Sequence, residues 1–316
     1  MKLLVTGCAG FIGANFVNYI LDTYGEDTVV GVDSLTYAAN RSALDELTCR
    51  ERFSFYKADI CDKEAIFRIF DREKPEIVVN FAAESHVDNS IADSAPFLRT
   101  NVLGTQVLLD ASLMYEVQRF HQISTDEVYG DLPCDSADSF TESSPLLPSS
   151  PYSASKAAAD LLTLSYHRTY RLPVTISRSS NNFGRYQHKE KLIPKIIEYA
   201  LRGEPIPIYG DGQNIRDWMH VSDHCRAVDL IIRTAPDGMI YNVGAGNSYT
   251  NLEITRAIFQ HLGIHSVKIS FVPDRLGHDR KYALSCTRLC ELGWRPEADF
   301  DAALSETVNY YSHILK

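Results

Sequence analysis

The chain has 316 residues, enough for one large or two closely joined domains, and an ordinary globular composition. Its net charge of −10 argues against a general binder of nucleic acid or of anionic membranes, although a local basic pocket can still hold phosphates. No apolar run is long enough to span a bilayer, and seven scattered cysteines give neither a disulfide framework nor a zinc-ligand pattern, so a metal-free protein of the reducing cytoplasm is expected.

In chain order, the first half alternates β-branched runs with helical patterns. Strands are predicted over 3–5, 28–33, 53–57, 76–81 and 120–124, and helices over 11–24, 63–73 and 96–115. Residues 131–151 are loop-like, rich in Ser, Pro and Asp. Pro151 then opens a helix to about residue 170, since proline is preorganised for a first helical position. A strand over 173–177 follows, then a helix over 192–202, a strand over 206–209, a helix over 222–234, a strand over 240–243 and an αβα-like portion over 251–316. This alternation predicts an α/β fold, a doubly wound parallel sheet with helices on both faces. Residues 1–180, with returning elements near 220–245, are expected to form the dinucleotide-binding Rossmann domain. Residues 181–316 are expected to form most of a smaller, interleaved α/β substrate lobe.

The stretch Gly7-Cys8-Ala9-Gly10-Phe11-Ile12-Gly13 follows the first strand and opens the first helix. Glycines let backbone approach a pyrophosphate, which the helix N-terminus stabilises with free N–H groups. Asp33 ends the second strand about twenty residues on. Its carboxylate can accept from ribose hydroxyls and would repel a 2′-phosphate, which favours NAD over NADP. Tyr152 and Lys156 lie one turn apart on one helical face. An ammonium beside the phenol is expected to lower its pKa and make it a base for a sugar hydroxyl. After the strand over 120–124, Thr125-Asp126-Glu127 sets a hydroxyl beside two adjacent carboxylates. Carboxylates with opposite proton-transfer roles need environments that push their pKa values apart.

Taken together, these motifs resemble the extended short-chain dehydrogenase/reductase (NAD-dependent epimerase/dehydratase) family, and within it most closely the dTDP-glucose 4,6-dehydratases. The resemblance also covers Phe81-Ala82-Ala83-Glu84-Ser85-His86-Val87-Asp88, Asn181-Asn182-Phe183-Gly184, Glu190-Lys191-Leu192-Ile193-Pro194, Tyr209-Gly210-Asp211-Gly212, Arg216-Asp217-Trp218 and Asp274-Arg275-Leu276-Gly277-His278-Asp279, and so nearly the whole chain. It implies oxidation of a nucleotide-diphosphate sugar at C4, loss of water across C5–C6 and return of hydride to C6, with NAD tightly bound and regenerated each turnover. Tyr152, held by Lys156 and Thr125, would serve the oxidation. Glu127 would be the base at C5, and a protonated Asp126 the acid for the departing C6 hydroxyl.

Implied cofactor contacts are Gly7, Gly10, Phe11, Ile12, Gly13, Asp33, Ser34, Leu35, Thr36, Asp59, Ile60, Phe81, Ala82, Ala83, Ser85, Thr100, Tyr152, Lys156 and Asn182. Implied substrate contacts are Ser85, Thr125, Asn181, Lys191, Leu192, Pro207, Ile208, Tyr209, Arg216, Asn251, Asp274, Arg275, Gly277 and His278. Among these, Arg216 could grip a diphosphate with both arms of its guanidinium. The resemblance further implies a homodimer paired through the helices over 96–115 and 151–170.

The chain departs from the family pattern at Ser34, Arg185, His188, Lys189 and Leu276, all near the nucleotide or sugar. A UDP-linked sugar, with or without an N-acetyl group, therefore stays open. So do a 5,6-elimination without hydride return to C6, and an epimerase or decarboxylase on the same scaffold.

Overall fold

A computed structural model describes residues 1–265 and 268–315. The strands are β1 Lys2–Thr6, β2 Thr28–Asp33, β3 Phe53–Lys57, β4 Ile77–Asn80, β5 Arg119–Thr125, β6 Val174–Ser179, β7 Asn181–Phe183, β8 Ile206–Tyr209, β9 Ile215–His220, β10 Met239–Val243, β11 Ser248–Thr250 and β12 Ile269–Val272. Seven of them make one sheet in the order β10-β6-β5-β4-β1-β2-β3. Every pairing in it is parallel, as the strand–helix alternation predicts.

Side-chain alternation along β1 shows why both faces must be covered. Leu3 and Val5 pack with Phe16, Val17 and Ile20 of helix Phe11–Thr23. Leu4 points the other way, into Val30, Ile66, Phe70, Leu108 and Val174. Helix Val221–Thr234 returns to the first of these layers through Val221, Cys225 and Val228, and β10 extends the sheet beside β6.

The chain leaves β1 towards β2 and β4 towards β5, so winding reverses between the neighbours β1 and β4. A crevice opens at the carboxyl ends of the strands at such a point. There the Thr6 hydroxyl donates to Asn80 (2.6 Å), and Asn80 donates to Gln122 (2.9 Å), tying β1, β4 and β5 beneath the crevice.

The remaining strands build a second lobe. β9 pairs parallel with β7 and antiparallel with β11, while β8 and β12 form a parallel pair. Its core gathers Phe183, Ile193, Ile197, Trp218, Ile254 and Leu304.

The helix expected over 96–115 is not uniform. Ala95–Phe97 and Thr105–Met114 are α-helical, but Leu98–Gly104 between them is a π-helix. The Thr105 hydroxyl donates to the Asn101 carbonyl at 2.7 Å, taking the acceptor that the backbone of residue 105 would use in an α-helix. Such a widened turn often marks a functional site.

Candidate active site

The glycine turn is shaped by contact as well as by dihedral angle. Gly7 has φ +66°, and a Cβ there would meet the Ala82 nitrogen at 2.7 Å. A Cβ on Gly13 would sit 2.2 Å from the Gly7 carbonyl oxygen, so helix Phe11–Thr23 can start this close to β1 only without a side chain. Gly10 caps that helix with no side-chain bond and no acidic residue follows in its first turn, which leaves its N–H groups to an anion. Gly13→Ala is expected to destabilise the fold by about 1–3 kcal/mol and to weaken NAD binding. Thermal unfolding and titration with NAD check this; an unchanged melting temperature and affinity would refute the packing argument.

A cavity of about 900 Å³ runs from this turn along the carboxyl ends of the sheet. That is room for a dinucleotide and part of a second ligand. Gly7, Gly10, Phe11, Ile12 and Gly13 line it at the turn, with Asp33, Ser34, Thr36, Asp59 and Ile60 towards one end. Phe81, Ala82, Ala83, Ser85, Thr100 and Asn182 line its walls. Leu35 is absent from the lining; at φ +58° it donates its N–H to Asp33 at 2.8 Å. Asp33 also accepts from the Ala9 N–H at 3.0 Å. The uncapped helix end, the close-packed glycines and the carboxylate at the end of β2 fit a dinucleotide without a 2′-phosphate.

Thr125, Asp126, Glu127, Tyr152 and Lys156 all line the same cavity. β5 ends at Thr125, which then caps a 3₁₀ turn over Asp126–Tyr129. Its hydroxyl accepts from the Glu127 N–H (3.3 Å) and donates to Asp126 (3.2 Å). Tyr152 and Lys156 are placed by the start of helix Pro151–Tyr170. Ser150 and Ser153 cap that helix reciprocally, and Pro151 occupies its first turn.

The two carboxylates sit in different fields. Asp126, 2 % exposed, is held well above the usual carboxylate range by burial and then by the Glu127 charge, and one of its oxygens has no partner. Glu127 is also raised by burial, but Arg275, Arg216 and Lys191 oppose the shift. The stronger push falls on Asp126 and favours its acid form, while cations pull the neighbouring Glu127 back towards carboxylate.

The expected effect of Lys156 on Tyr152 is not met. The ammonium donates instead to the Ile123 carbonyl at 2.5 Å. Burial, then Glu127 and Asp126, raise the phenol, and the Thr125 hydroxyl acts the other way. Burial lowers Lys156 itself to about 8, against the pull of Asp160.

Of the predicted substrate residues, Ser85, Thr125, Asn181 and Lys191 line the cavity. Lys191 donates to the Ser85 carbonyl at 3.0 Å, so it bridges the two lobes. Leu192, Pro207, Ile208, Tyr209, Arg216, Asn251, Asp274, Arg275, Gly277 and His278 lie outside the lining. Several meet the first lobe nearby: the Tyr209 hydroxyl donates to Asp88 at 3.1 Å, and Arg275 pairs with Asp88 at 4.0 Å. His278 bonds Asp274, and Gly277 is at φ +62° against the Ser149 carbonyl. Arg216 is not a free fork. It is buried, donates to the carbonyls of Ile215 and Asp279, and lies 4.3 Å over the Tyr282 ring. Its charge acts on Asp126 and Glu127 from behind.

Sequence reasoning missed Asn101. Its side chain accepts from the Glu84 N–H (2.9 Å) and donates to the Glu84 carbonyl (3.0 Å) and to Ser155 (2.8 Å). It therefore joins the π-helix to the helix of Tyr152, and no periodicity marks a π-helix. Glu190, which spacing alone does not mark as a site residue, sits within 3.5 Å of both His86 and His188 at the cavity wall.

All seven cysteines are free. Among the described residues no group of His, Cys, Asp and Glu could hold a metal ion, and no helix is long and apolar enough to cross a membrane.

Comparison with known proteins follows the same lines. A glycan-biosynthesis protein of Haloferax volcanii, Agl12, is 49 % identical over 98 % of both chains. A dTDP-glucose 4,6-dehydratase of Haemophilus influenzae is 47 % identical, again over 98 % of both. The crystal structure of a dTDP-glucose 4,6-dehydratase from Streptomyces venezuelae, with NAD bound, superposes with a TM-score of 0.95 at 44 % identity and full coverage of both chains. The model of one dehydratase family, described as GDP-mannose 4,6 dehydratase, matches residues 4–307, and the chain belongs to that family.

Proposed function

We propose that this chain is an NAD-dependent nucleotide-sugar 4,6-dehydratase, acting on dTDP-glucose to give the 4-keto-6-deoxy sugar. The observation that carries this reading is the carboxyl pair of buried Asp126 and half-buried Glu127, which lines one cavity with Tyr152. Oxidation alone would need only the phenol and the Thr125 hydroxyl. Loss of water needs one group to take a proton and another to give one.

When bound, NAD would accept hydride from C4 and return it to C6. Tyr152 takes the C4 hydroxyl proton, while Thr125 holds the phenol and Lys156 supplies positive charge nearby. Once C4 is a ketone, the C5 proton is acidic, and Glu127 removes it. Asp126 protonates the departing C6 hydroxyl, which leaves as water, and C5 takes a proton back when C6 is reduced. Lys191 and Arg275 lower the cost of the ionised Glu127 before the proton moves.

Residues 181–316 then supply most of the substrate contacts, with the sheet carrying the dinucleotide. The exposed apolar side chains Leu98, Leu103 and Met114 on one helix and Leu161 and Tyr170 on the other support pairing of two copies through these helices. Leu161→Arg is expected to give a monomer by light scattering; a dimer of unchanged stability would place the interface elsewhere. Seven free cysteines fit a reducing cytoplasm.

Mass spectrometry after separate incubation with dTDP-glucose, UDP-glucose and UDP-N-acetylglucosamine tests the function. The dTDP sugar should lose one water with no net reduction of NAD, and deuterium placed at C4 should appear at C6. An unchanged mass for all three sugars would sink the reading. Water loss with deuterium elsewhere would indicate a 5,6-unsaturated product.

A further inference from the structure

The helix of Tyr152 and the turn of Asp126 and Glu127 come from different parts of the chain, yet one buried side chain reaches both. Arg178 on β6 is 2 % exposed. Its Nε donates to Asp160 at 2.9 Å, and Asp160 lies one turn beyond Lys156 on helix Pro151–Tyr170. Its Nη1 donates to the Tyr129 hydroxyl at 3.0 Å, and its guanidinium lies 4.9 Å from the centre of that ring. Tyr129 closes the 3₁₀ turn that begins at Asp126. The Tyr129 hydroxyl in turn donates to Asn242 on β10 at 2.7 Å. Asp160 and Tyr129 are themselves buried, at 0 % and 1 % exposure.

Buried ion pairs seldom add net stability over apolar packing, so their retention calls for another account. Here the fork of one arginine spans the two elements that hold the reacting groups, and its planar geometry fixes direction as well as distance. We propose that Arg178, with Asp160 and Tyr129, is a positioning clasp that sets the acid–base turn of the elimination against the phenol–ammonium helix of the oxidation. The proposal rests on the dehydratase reading and adds three residues to it, none of which lines the cavity. Loosening the Tyr129 end should disturb elimination more than oxidation, because the phenol and ammonium stay on an intact helix. Loosening the Asp160 end should disturb oxidation first, because Asp160 supports the Lys156 charge.

The test separates the two steps in single turnovers of the intact enzyme with its NAD and dTDP-glucose. In Tyr129→Phe, reduced-nicotinamide absorbance should rise at the wild-type rate and then persist. Water loss should slow about ten- to a hundredfold, the range expected for a misplaced reacting group, and KM should stay within about twofold. Asp160→Asn should slow the rise itself and move its alkaline limb to lower pH. Arg178→Lys keeps the charge without the fork and should slow both steps; Asp160→Asn, expected to slow oxidation more than water loss, carries the test if Tyr129→Phe does not fold. Asp27→Asn, which breaks the remote pair with Arg233, serves as the control: its melting temperature should fall with the ratio of the two steps unchanged. Equal slowing of both steps in Tyr129→Phe, or the same change of ratio in the control, would overturn the clasp. Failure of the wild-type protein to lose water from any sugar would instead overturn the dehydratase reading.

Discussion

In Glu127→Gln, water loss is expected to fall about a hundred- to ten-thousandfold, while oxidation at C4 continues and reduced cofactor accumulates. The amide keeps the size of the side chain but cannot take the C5 proton. Three cationic groups, Arg275, Arg216 and Lys191, act on this carboxyl, so the charge it loses is one the pocket is built to hold. The same residue sets the acid limb of the rate. Burial raises Glu127 above its ordinary 4.5, so activity should fall as pH drops through that raised value, earlier than for an exposed glutamate. Stopped-flow absorbance of the reduced nicotinamide, paired with the mass of the sugar, follows both steps. Wild-type water loss in the variant, or loss of oxidation together with elimination, would remove Glu127 from the role of base.

Tyr152→Phe acts one step earlier. Without the phenol no group at this position accepts the C4 proton, and oxidation should slow by about a hundred- to ten-thousandfold with no reduced cofactor seen. Tyr152 is buried and packs edge-on to Phe97 at 6.4 Å, so phenylalanine fits the same space and the fold should survive. Near-normal stability with no oxidation would separate chemistry from folding. The acid form of the phenol is favoured before ligands arrive, since burial and both carboxylates raise it. The phenol can therefore act as a base only when Asp126 is neutral and cationic groups offset Glu127. Oxidation and elimination thus share one electrostatic balance. A variant that kept its oxidation rate without the phenol would assign the base elsewhere.

Local patterns made many elements legible. Thr28–Asp33, Phe53–Lys57, Lys63–Glu73, Pro151–Tyr170 and Leu192–Arg202 fall at their predicted ends, because β-branched runs, amphipathic spacing and a proline at a helix start are written locally. Helix Arg41–Thr48 escaped notice: only Ala43 and Leu47 are buried on it, too few for a visible stripe. β9 escaped for the opposite reason. Arg216 and Asp217 look like surface residues, yet both are buried and bonded to backbone of segments far along the chain. In the site, the glycine turn, Asp33 and the Tyr152–Lys156 pair could be read from spacing, and the other cavity residues followed from the family resemblance. The bond from Lys156 to Ile123 and the engagement of Arg216 could not, because each depends on where another element lies.

The double bonding of Asp33 bears on any attempt to change cofactor preference. The usual route to a phosphorylated dinucleotide removes this carboxylate and adds a cation. Here the same carboxylate props the glycine turn through Ala9 and the following bend through Leu35. Asp33→Ser would leave the Ala9 N–H seeking a partner and loosen the cradle that either dinucleotide needs. A redesign would have to rebuild that strut first, and then alter the charge.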